Sequence, residues 1–372
     1  MVFTHPLLGF ILLIMKAFYS IRTFMSAIVA LIAINVQAQI KIVDSESSEP
    51  VDFASVFDNE TGKVVGLTTV EGHLPTGAEK LKSISIQHIN YNTCNINPAE
   101  LQDTIVKMTP FSRELKDVKI SKDPKAKIRV KIYTRTYTYI NGMIALVNFD
   151  IGYLYFKNAT SKSSPKYTAL AGKVFGDYPL LKAQSNFILT LASITEPGDF
   201  ADFNLCLKYD ELKGGKRLHD SWKRAGTVTY MNEDSINKRC EIVSDSSFYD
   251  KPFTIFIIPF SIGKLYTSET YSTAYGAPRL YDLQNKITMF RAIRKKTKEY
   301  VDVVQEIFVG GVDYATKEDI KNDKLPSTET IEWPKDLPEM NPNITKALKN
   351  MQELTLTRED KNEKAEAETE EK

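Results

Sequence analysis

Beyond residue 38, three histidines are the side chains best suited to metal binding or acid–base chemistry: His73, His88 and His219. A zinc peptidase needs His-x-x-Glu or His-Glu-x-x-His spacing, because its ligands must converge on one metal ion from one turn of helix. None of the three histidines has that spacing. His219 is followed by Asp220 and Ser221, but neighbours in sequence point in different directions, and the Gly-x-Ser-x-Gly turn of a nucleophilic serine is absent. We therefore predict no catalytic residue, no metal ligand and no cofactor, and interpret the histidines as surface or capping residues.

Glycine pairs and charge clusters also lack the spacing of a ligand site. Gly214-Gly215 and Gly310-Gly311 have neither the Lys-Ser/Thr nor the third glycine that would hold a nucleotide phosphate. One cluster of acidic residues lacks the twelve-residue loop that binds calcium, so we interpret the cluster as a solvated helix face. It consists of Asp199, Asp202, Asp210 and Glu211. The one basic run lacks stacking aromatics, which predicts a polar hairpin end and no nucleic-acid binding, with contact to anionic lipid headgroups as the alternative. It consists of Arg291, Arg294, Lys295, Lys296 and Lys298.

Aromatic residues of the C-terminal half could line a cleft for a hydrophobic or glycan ligand. Tyr249 and Phe253 belong to this set. The candidate ligand or partner surface itself is formed by Tyr266, Tyr271, Tyr275 and Tyr281. Cross-strand packing of tyrosines in a β-protein is the alternative interpretation.

The start of the chain has the order of an export signal. Two apolar runs within the first 36 residues are each shorter than the roughly 20 residues that cross a bilayer. Counted from Met15, a basic start and an apolar centre precede the small-x-small site Val36-Gln37-Ala38. We therefore predict a signal peptide over residues 1–38 with its true start at Met15 and cleavage between Ala38 and Gln39. An uncleaved anchor or helical hairpin is the alternative.

Composition indicates a globular protein without a dominant charge. The 372 residues are 42% hydrophobic and have a formal net charge of +1, so nothing favours nucleic acid or an acidic partner. Removal of the signal peptide leaves about 330 residues, which is enough for two domains. Cys94, Cys206 and Cys240 are odd in number and widely spaced, which predicts buried free thiols, with one disulfide as the alternative.

Short strands separated by turns fill the first domain, residues 39–122. Gly, Pro and Asn residues between the strands supply the backbone reversals. Such close spacing indicates an antiparallel β-sandwich. The strands are predicted at residues 40–43, 54–58, 63–69 and 81–86.

Several segments of this domain occur in an order that is specific to one family. They are Glu49-Pro50-Val51, Ala54-Ser55-Val56, Gly66 to Gly72, Leu81 to Ile86, Ile89-Asn90-Tyr91 and Leu115 to Ile120. Together these residues resemble the carboxypeptidase regulatory-like family, a transthyretin-like (prealbumin-like) β-sandwich of Bacteroidota envelope proteins. Thr69, Leu74 and Asn90 depart from the family pattern, which has Asp, an aromatic residue and Gly there. The resemblance covers residues 39–120 and implies a structural or docking module without catalytic zinc.

The pattern of residues 123–330 predicts a β-rich C-terminal domain of unknown type with one or two helices. Residues 128–139 alternate apolar and polar side chains, Asn141-Gly142 is a strong hairpin signal, and residues 144–156 form the returning strand. Helical spacing of apolar residues predicts helices at 180–194 and 200–212. Further strands are predicted at residues 227–231, 253–260, 264–271, 286–293 and 300–309.

Residues 331–372 predict a Pro-containing linker, a short helix and an acidic disordered tail. Ile344, Leu348, Met351 and Leu354 form an amphipathic stripe, which predicts that the helix docks on the body of the protein.

The sequence as a whole predicts a mainly β protein, with an N-terminal transthyretin-like β-sandwich and a β-rich second domain. The expected function is that of an exported, non-enzymatic cell-envelope protein of the periplasm or outer membrane, whose β-sandwich is a structural or docking module. Its expected partners are other envelope proteins or outer-membrane components, and contact with a membrane surface stays open. The alternatives are a binding protein for a hydrophobic or glycan ligand, a small outer-membrane barrel with a sandwich extension, and an enzyme with an unrecognised site.

Overall fold

The computed structural model describes residues 39–101, 103–111, 126–184, 203–220, 226–246, 251–255, 258–274, 276–294, 297–323 and 333–354. For residues 251–255 and 258–264 it describes the backbone alone. The predicted signal peptide with Ala38, and the predicted acidic tail from residue 359, lie outside the described residues.

The described chain is mainly β, as predicted. Its strands are β1 (Lys41–Asp44), β2 (Ser55–Asp58), β3 (Val64–Leu67), β4 (Ile84–Gln87), β5 (Cys94–Ile96), β6 (Ile105–Met108), β7 (Lys127–Ile140), β8 (Met143–Phe156), β9 (Lys166–Gly176), β10 (Leu218–Asp220), β11 (Thr227–Asp234), β12 (Arg239–Asp245), β13 (Lys251–Ile255), β14 (Ile258–Ser272), β15 (Leu283–Arg294), β16 (Tyr300–Ala315) and β17 (Gln352–Leu354). The described α-helices are α1 (Tyr178–Lys182), α2 (Tyr209–Leu212), α3 (Lys317–Asn322) and α4 (Pro342–Leu348). Single 3₁₀ turns occur at Ala78–Lys80, Pro98–Glu100, Leu205–Lys208 and Leu280–Asp282.

Residues 39–111, termed the N-terminal module, contain two small sheets. One is antiparallel with the order β3-β2-β4-β5, and the other is a parallel pair of β1 and β6. Both sheets contribute to one buried core, which contains Ile42 of β1, Val106 of β6 and Ile84 of β4. Gly72 has a φ of 80°, and a side chain there would collide with the Ile42 carbonyl group. The close approach of this turn to β1 therefore requires glycine.

The long hairpin of β7 and β8 follows the sequence prediction. Ile140 of β7 lies opposite Met143 of β8, so the loop consists of Asn141 and Gly142 alone. Their φ angles are 51° and 81°. A type I′ turn requires this left-handed pair, and Asn-Gly adopts it at low cost. The predicted hairpin is confirmed.

Strands β7 to β17 form one sheet of eleven strands, termed the large sheet. Its order is β10-β11-β12-β14-β15-β16-β7-β8-β9-β17, with β13 paired to β14. Strand β16 pairs with β7 from Val301 opposite Ile140 to Ala315 opposite Lys127. The described pairings in this sheet are antiparallel. The last long strand of the sheet therefore lies beside its first.

The two faces of the large sheet contribute to different cores. Alternate residues of a strand point to opposite faces. In β7, Tyr133 and Tyr137 belong to one buried cluster, whereas Val130 and Ile132 belong to another. The first cluster also contains Phe53 of the N-terminal module. We term this side the module face and the opposite side the far face. The module and the large sheet thus share one apolar core.

The prediction of a single strand at residues 253–260 is wrong, because the structure divides these residues between two strands. Strand β13 ends at Ile255, and β14 begins at Ile258 directly opposite it. A short apolar run does not distinguish one buried strand from the two arms of a tight hairpin.

Of the two predicted helices, the structure describes residues 203–212 of one and residues 180–184 of the other. The helix predicted at 200–212 is a 3₁₀ turn at Leu205–Lys208 followed by the single turn of α2. The helix predicted at 180–194 overlaps only α1, and its residues beyond 184 lie outside the described chain. Among the described helices, none has the length and apolar character needed to cross a membrane.

Residues 333–354, termed the C-terminal segment, dock on both parts of the protein. Leu337 and Ile344 are buried in the module-face core. Asn341 caps α4 by accepting a hydrogen bond from the Asn343 backbone N–H at 2.9 Å, and its amide donates to Ser85 Oγ at 2.8 Å. The predicted short helix therefore docks on the body, but it ends at Leu348, and the residues after it pair with β9.

Candidate functional site

The boundary between the N-terminal module and the large sheet contains three ionisable side chains, Asp52, His88 and Glu241. Asp52 lies in the segment before β2, and His88 directly follows β4. Glu241 lies in β12, whose residues Cys240 and Ile242 point into the far-face core. Glu241 therefore points in the opposite direction, toward the module. We term these three residues the boundary cluster.

The boundary cluster is compact and buried. Its ligand-capable atoms lie within 4.8 Å of one another. Asp52 and His88 are each 2% exposed, and the Glu241 side chain is 13% exposed. His88 Nε2 is 4.0 Å from Glu241 Oε1, which is too far for a hydrogen bond. His88 Nδ1 accepts a hydrogen bond from the Asn90 backbone N–H at 3.2 Å, whereas Nε2 has no partner among the described residues.

Burial controls the ionisation of the boundary cluster. It raises the pKa of Asp52 well above the ordinary range, and the neighbouring Glu241 adds to this rise. Burial also raises the pKa of Glu241, against the opposing effects of the Ser268 hydroxyl and the Arg239 charge. It lowers the pKa of His88 to about 3, with a further contribution from Arg239. At neutral pH the imidazole is therefore uncharged, and two carboxyl groups share surroundings that disfavour negative charge.

Hydroxyl donors from the large sheet hold both carboxyl groups. The Tyr230 hydroxyl donates to Asp52 Oδ2 at 2.6 Å, and the Ser268 hydroxyl donates to Glu241 Oε1. Tyr230 lies in β11 and Ser268 in β14, the two strands that flank β12. Three adjacent strands therefore orient a pair of carboxyl groups of which one comes from the module and one from the sheet.

Arg239, also in β12, links the sheet to the module beside the boundary cluster. Its Nη2 donates to the Tyr91 hydroxyl at 3.0 Å and lies 3.4 Å from Asp44 Oδ2. The guanidinium carbon is 5.2 Å from the centre of the Tyr91 ring, within cation–π range. Arg239 therefore contributes one positive charge next to the cluster while it is shared among several acceptors.

Further buried polar pairs cross the same boundary. Gln87 Nε2 donates to Glu306 Oε1 at 2.9 Å, and the Tyr137 hydroxyl donates to the other oxygen of Glu306 at 3.0 Å. Asn90 Nδ2 donates to Thr270 Oγ1 at 2.9 Å. Such pairs require defined geometry, so they fix the orientation of the module on the sheet.

The structure does not bring the three histidines together. His73 forms an isolated bridge with Lys41 in the module. His219 is exposed in β10, opposite Val228. Only His88 is buried against other ionisable groups, because the turn after β4 packs on the large sheet. The sequence predicts that the histidines are surface or capping residues. His88 is not at the surface, but its Nδ1 accepts the Asn90 backbone N–H, which agrees with the capping alternative.

The aromatic residues of the predicted ligand surface lie on different sides of the sheet. Tyr266 is buried in the module-face core, where its ring centre is 4.1 Å from that of Phe53. Tyr271 is buried in the far-face core, where its hydroxyl donates to Glu269. Even and odd positions of β14 point to opposite faces. The two tyrosines therefore do not line one cleft.

Of the other two members of the predicted surface, the structure describes Tyr281 alone. Tyr281 is partly buried, and its hydroxyl forms a hydrogen bond with that of Tyr314 at 2.9 Å. Tyr275 lies outside the described residues. The prediction of an aromatic ligand surface is thus not met by the described tyrosines.

A second buried charged pair lies on the far face and has full partners. Lys286 Nζ is 2.9 Å from Glu269 Oε1, and the ammonium group lies 3.8 Å from the centre of the Phe203 ring. Glu269 also accepts a hydrogen bond from the Leu205 backbone N–H at 2.7 Å. This pair anchors the segment around Leu205 to the sheet.

The three cysteines are free thiols, as predicted. Cys206 and Cys240 are buried, and burial raises the pKa of each thiol to about 12. Cys94 is only partly buried, so the prediction of burial holds for two of the three.

No known protein family matches this sequence, and no curated protein matches it either. The resemblance of residues 39–120 to the regulatory-like family therefore stays a prediction. Function has to be inferred from the boundary cluster and from the packing that surrounds it.

Proposed function

We propose that this protein is an exported, non-enzymatic structural component of the cell envelope, in which a carboxypeptidase regulatory-like module braces one face of the large sheet. The observation that carries the proposal is the shared core. Phe53, Phe57 and Ile89 of the module belong to the same buried cluster as Tyr137 and Val304 of the large sheet.

The packing favours a fixed brace over a mobile docking arm. A docking module on a flexible connection keeps its binding face free, whereas this module has its apolar side chains against the sheet. Burial of each such side chain contributes about 1.5–3 kcal/mol. The hydrogen bonds from Gln87 to Glu306 and from Asn90 to Thr270 add directional contacts to that area.

The C-terminal segment supports the same role, since it contacts both parts at once. Ile344 lies in the shared core. Asn343 Nδ2 donates to Asn59 Oδ1 of the module at 2.9 Å. The segment therefore adds a third component to the boundary.

The position of the boundary cluster supports a non-enzymatic role. Asp52 and His88 are 2% exposed and lie between the module and the sheet, where a substrate has no access to them in this arrangement. The exported location rests on the predicted signal peptide and on the family resemblance.

A cleavable connection tests the brace directly. A recognition site for a sequence-specific protease is placed at residues 121–125 of the full chain, and the protein is cut after purification. We expect the two pieces to co-elute on size exclusion, because the shared core holds them together. The matched control carries the same site and Ile89→Asp, which should let the pieces separate. Separation of the cut protein without that substitution would reject the brace.

The envelope location has its own test. Cell fractionation should find the protein outside the cytoplasm, and N-terminal sequencing should begin at Gln39. A cytosolic protein that keeps Met1 or Met15 would contradict the exported role, whatever the result of the cleavage experiment.

A further inference from the structure

Within the described part of the chain, the buried groups of the boundary cluster have too few hydrogen-bond partners and too little positive charge nearby to balance two carboxylates. Asp52 and Glu241 are two carboxyl groups in one buried place, each with one hydroxyl donor. His88 Nε2 faces them with no hydrogen-bond partner among the described residues. Buried carboxylates are costly unless their charge is balanced. Arg239 balances it only in part, because it is also engaged with Tyr91 and with other carboxylates.

The donor set matches a particular class of cation. One neutral imidazole nitrogen and two carboxylate oxygens are ligands of borderline divalent transition metals, of which zinc is the most common in proteins with such ligands. The two negative charges would equal the charge of the ion. Hard cations such as Mg²⁺ and Ca²⁺ prefer oxygen ligands alone.

The distances allow the three groups to converge. Atoms within 4.8 Å of one another share a central point about 2.8 Å or less from each. Zinc–ligand distances are about 2.0–2.2 Å, so binding requires each donor atom to move by less than about 1 Å. Since Asp52 and His88 belong to the module and Glu241 to β12, this movement draws the two parts of the protein together.

We propose that Asp52, His88 and Glu241 bind one divalent transition-metal ion of the zinc type, which ties the N-terminal module to the large sheet. A water molecule completes the coordination. This inference goes beyond the bracing role, which requires no metal.

Binding has a proton signature at His88. Because Nδ1 accepts a hydrogen bond from the Asn90 backbone N–H, the neutral ring has its proton on Nε2. When the metal binds Nε2, the single ring proton moves to Nδ1, so the ring itself releases no proton. Protons released from the protein on binding come from the carboxyl groups of Asp52 and Glu241, which bind the metal as carboxylates. The Asn90 N–H then loses its acceptor, so its amide resonance must shift.

The first experiment measures binding to the full mature chain without an affinity tag, since a histidine tag binds zinc itself. The protein is treated with a chelator, dialysed and titrated with Zn²⁺ by calorimetry. We expect one ion per chain and a rise of several degrees in melting temperature. Mg²⁺ at the same concentrations should give neither. No binding of Zn²⁺, or equal binding of Mg²⁺, would overturn the proposal.

Variants locate the ion. His88→Gln, Asp52→Asn and Glu241→Gln should each weaken Zn²⁺ binding by about a hundredfold or more, because a three-ligand site does not tolerate the loss of one donor. His219→Gln and His73→Gln are the matched controls and should bind as the wild type does. Unchanged binding by His88→Gln would place the ion elsewhere.

A measurement on the wild type remains decisive if the variants fold poorly. Nitrogen-15 NMR of the histidine rings should show the proton of His88 moving from Nε2 to Nδ1 on addition of Zn²⁺, with a shift of the Asn90 amide. The rings of His73 and His219 provide the internal reference. Zinc-dependent changes confined to those two rings would exclude the boundary cluster.

Discussion

Tyr230 shows how much of the boundary depends on one hydroxyl group. Its O–H is the side-chain donor to the buried Asp52 carboxyl. Tyr230→Phe removes that donor without changing the shape of the ring, so we expect a loss of about 1–3 kcal/mol in the free energy of unfolding. The measurement is urea unfolding of wild type and variant.

Tyr209→Phe is the control for this substitution. The Tyr209 hydroxyl donates to Glu233 at the surface, and surface changes of this kind stay within about 0.5 kcal/mol. Equal effects of the two substitutions would contradict the importance assigned to the Asp52 contact.

The burial of Glu306 leads us to expect that the stability of the folded protein depends on pH. Burial raises its pKa, against the opposing effects of Arg135, Tyr137 and Gln87, which face it from β7 and β4. A carboxyl group whose pKa is higher in the folded than in the unfolded state contributes stability below the unfolded pKa, and this contribution is lost as the pH rises through the folded pKa. We therefore expect wild type to lose stability relative to Glu306→Gln between pH 5 and pH 8 in urea unfolding.

The exposed Glu318 in α3 supplies the comparison for that pH series. Glu318→Gln should follow wild type closely at both pH values, because its side chain is in water. A wild-type advantage over Glu306→Gln that grew with pH would mean that the Glu306 carboxylate is stabilised by its neighbours, contrary to the sign given above.

The boundary cluster could not be predicted from the sequence. Asp52, His88 and Glu241 come from three elements that are far apart in the chain, and no spacing links them. Motif searches find ligands on one helix turn or in one loop, and His88 satisfies no such motif. Only the packing of the turn after β4 against β12 brings the three groups together.

At the level of elements, we expect substitutions of Gly142 in the Asn141-Gly142 turn to lower the free energy of unfolding. Gly142 has a φ of 81°, so Gly142→Ala should cost about 1–2 kcal/mol in the free energy of unfolding. Gly142→Asn should cost less, because Asn tolerates the left-handed conformation. Both side chains meet the Tyr300 hydroxyl near the new Cβ. The difference between the two variants in urea unfolding therefore isolates the backbone term, and no difference would contradict it.

Elements with strong local signals were predictable, and those that depend on partners were not. The β7–β8 hairpin has an alternating pattern and an Asn-Gly turn, so local chemistry alone specifies it. Strand β9 has few fully buried residues and a weak alternation, and its place is set by pairing with β8. The division between β13 and β14 likewise depends on their mutual pairing rather than on hydrophobicity.

At the level of the whole molecule, the two parts of the C-terminal tail should differ in importance. Removal of residues 357–372 should leave the melting temperature nearly unchanged, because their acidic sequence has nothing to bury. Removal of residues 333–372 should lower it by many degrees, since Leu337 and Ile344 leave the shared core. Thermal unfolding of both truncations measures this contrast, and equal melting temperatures would show that the C-terminal segment adds no stability.

The shared core also changes the expectation for the isolated first domain. Residues 39–111 have a core of their own around Ile42 and Ile84. They also place Phe53, Phe57 and Ile89 against the large sheet. A fragment of residues 39–120 should therefore fold with exposed apolar surface, which dye binding would detect. The sequence pattern indicates the inner core of this module but not the outer face that the sheet covers.

The pairing of β16 with β7 has a kinetic consequence. It joins residues such as Arg129 and Asp313, which are 184 positions apart in the chain. Contacts of such long range cost loop-closure entropy before they are formed, and chains that depend on them fold slowly. Neighbouring strands such as β7 and β8 can pair early, but the sheet cannot close across its centre until β16 has been synthesised. Premature release of a truncated chain would therefore expose the edge of β7, and such chains should aggregate rather than fold.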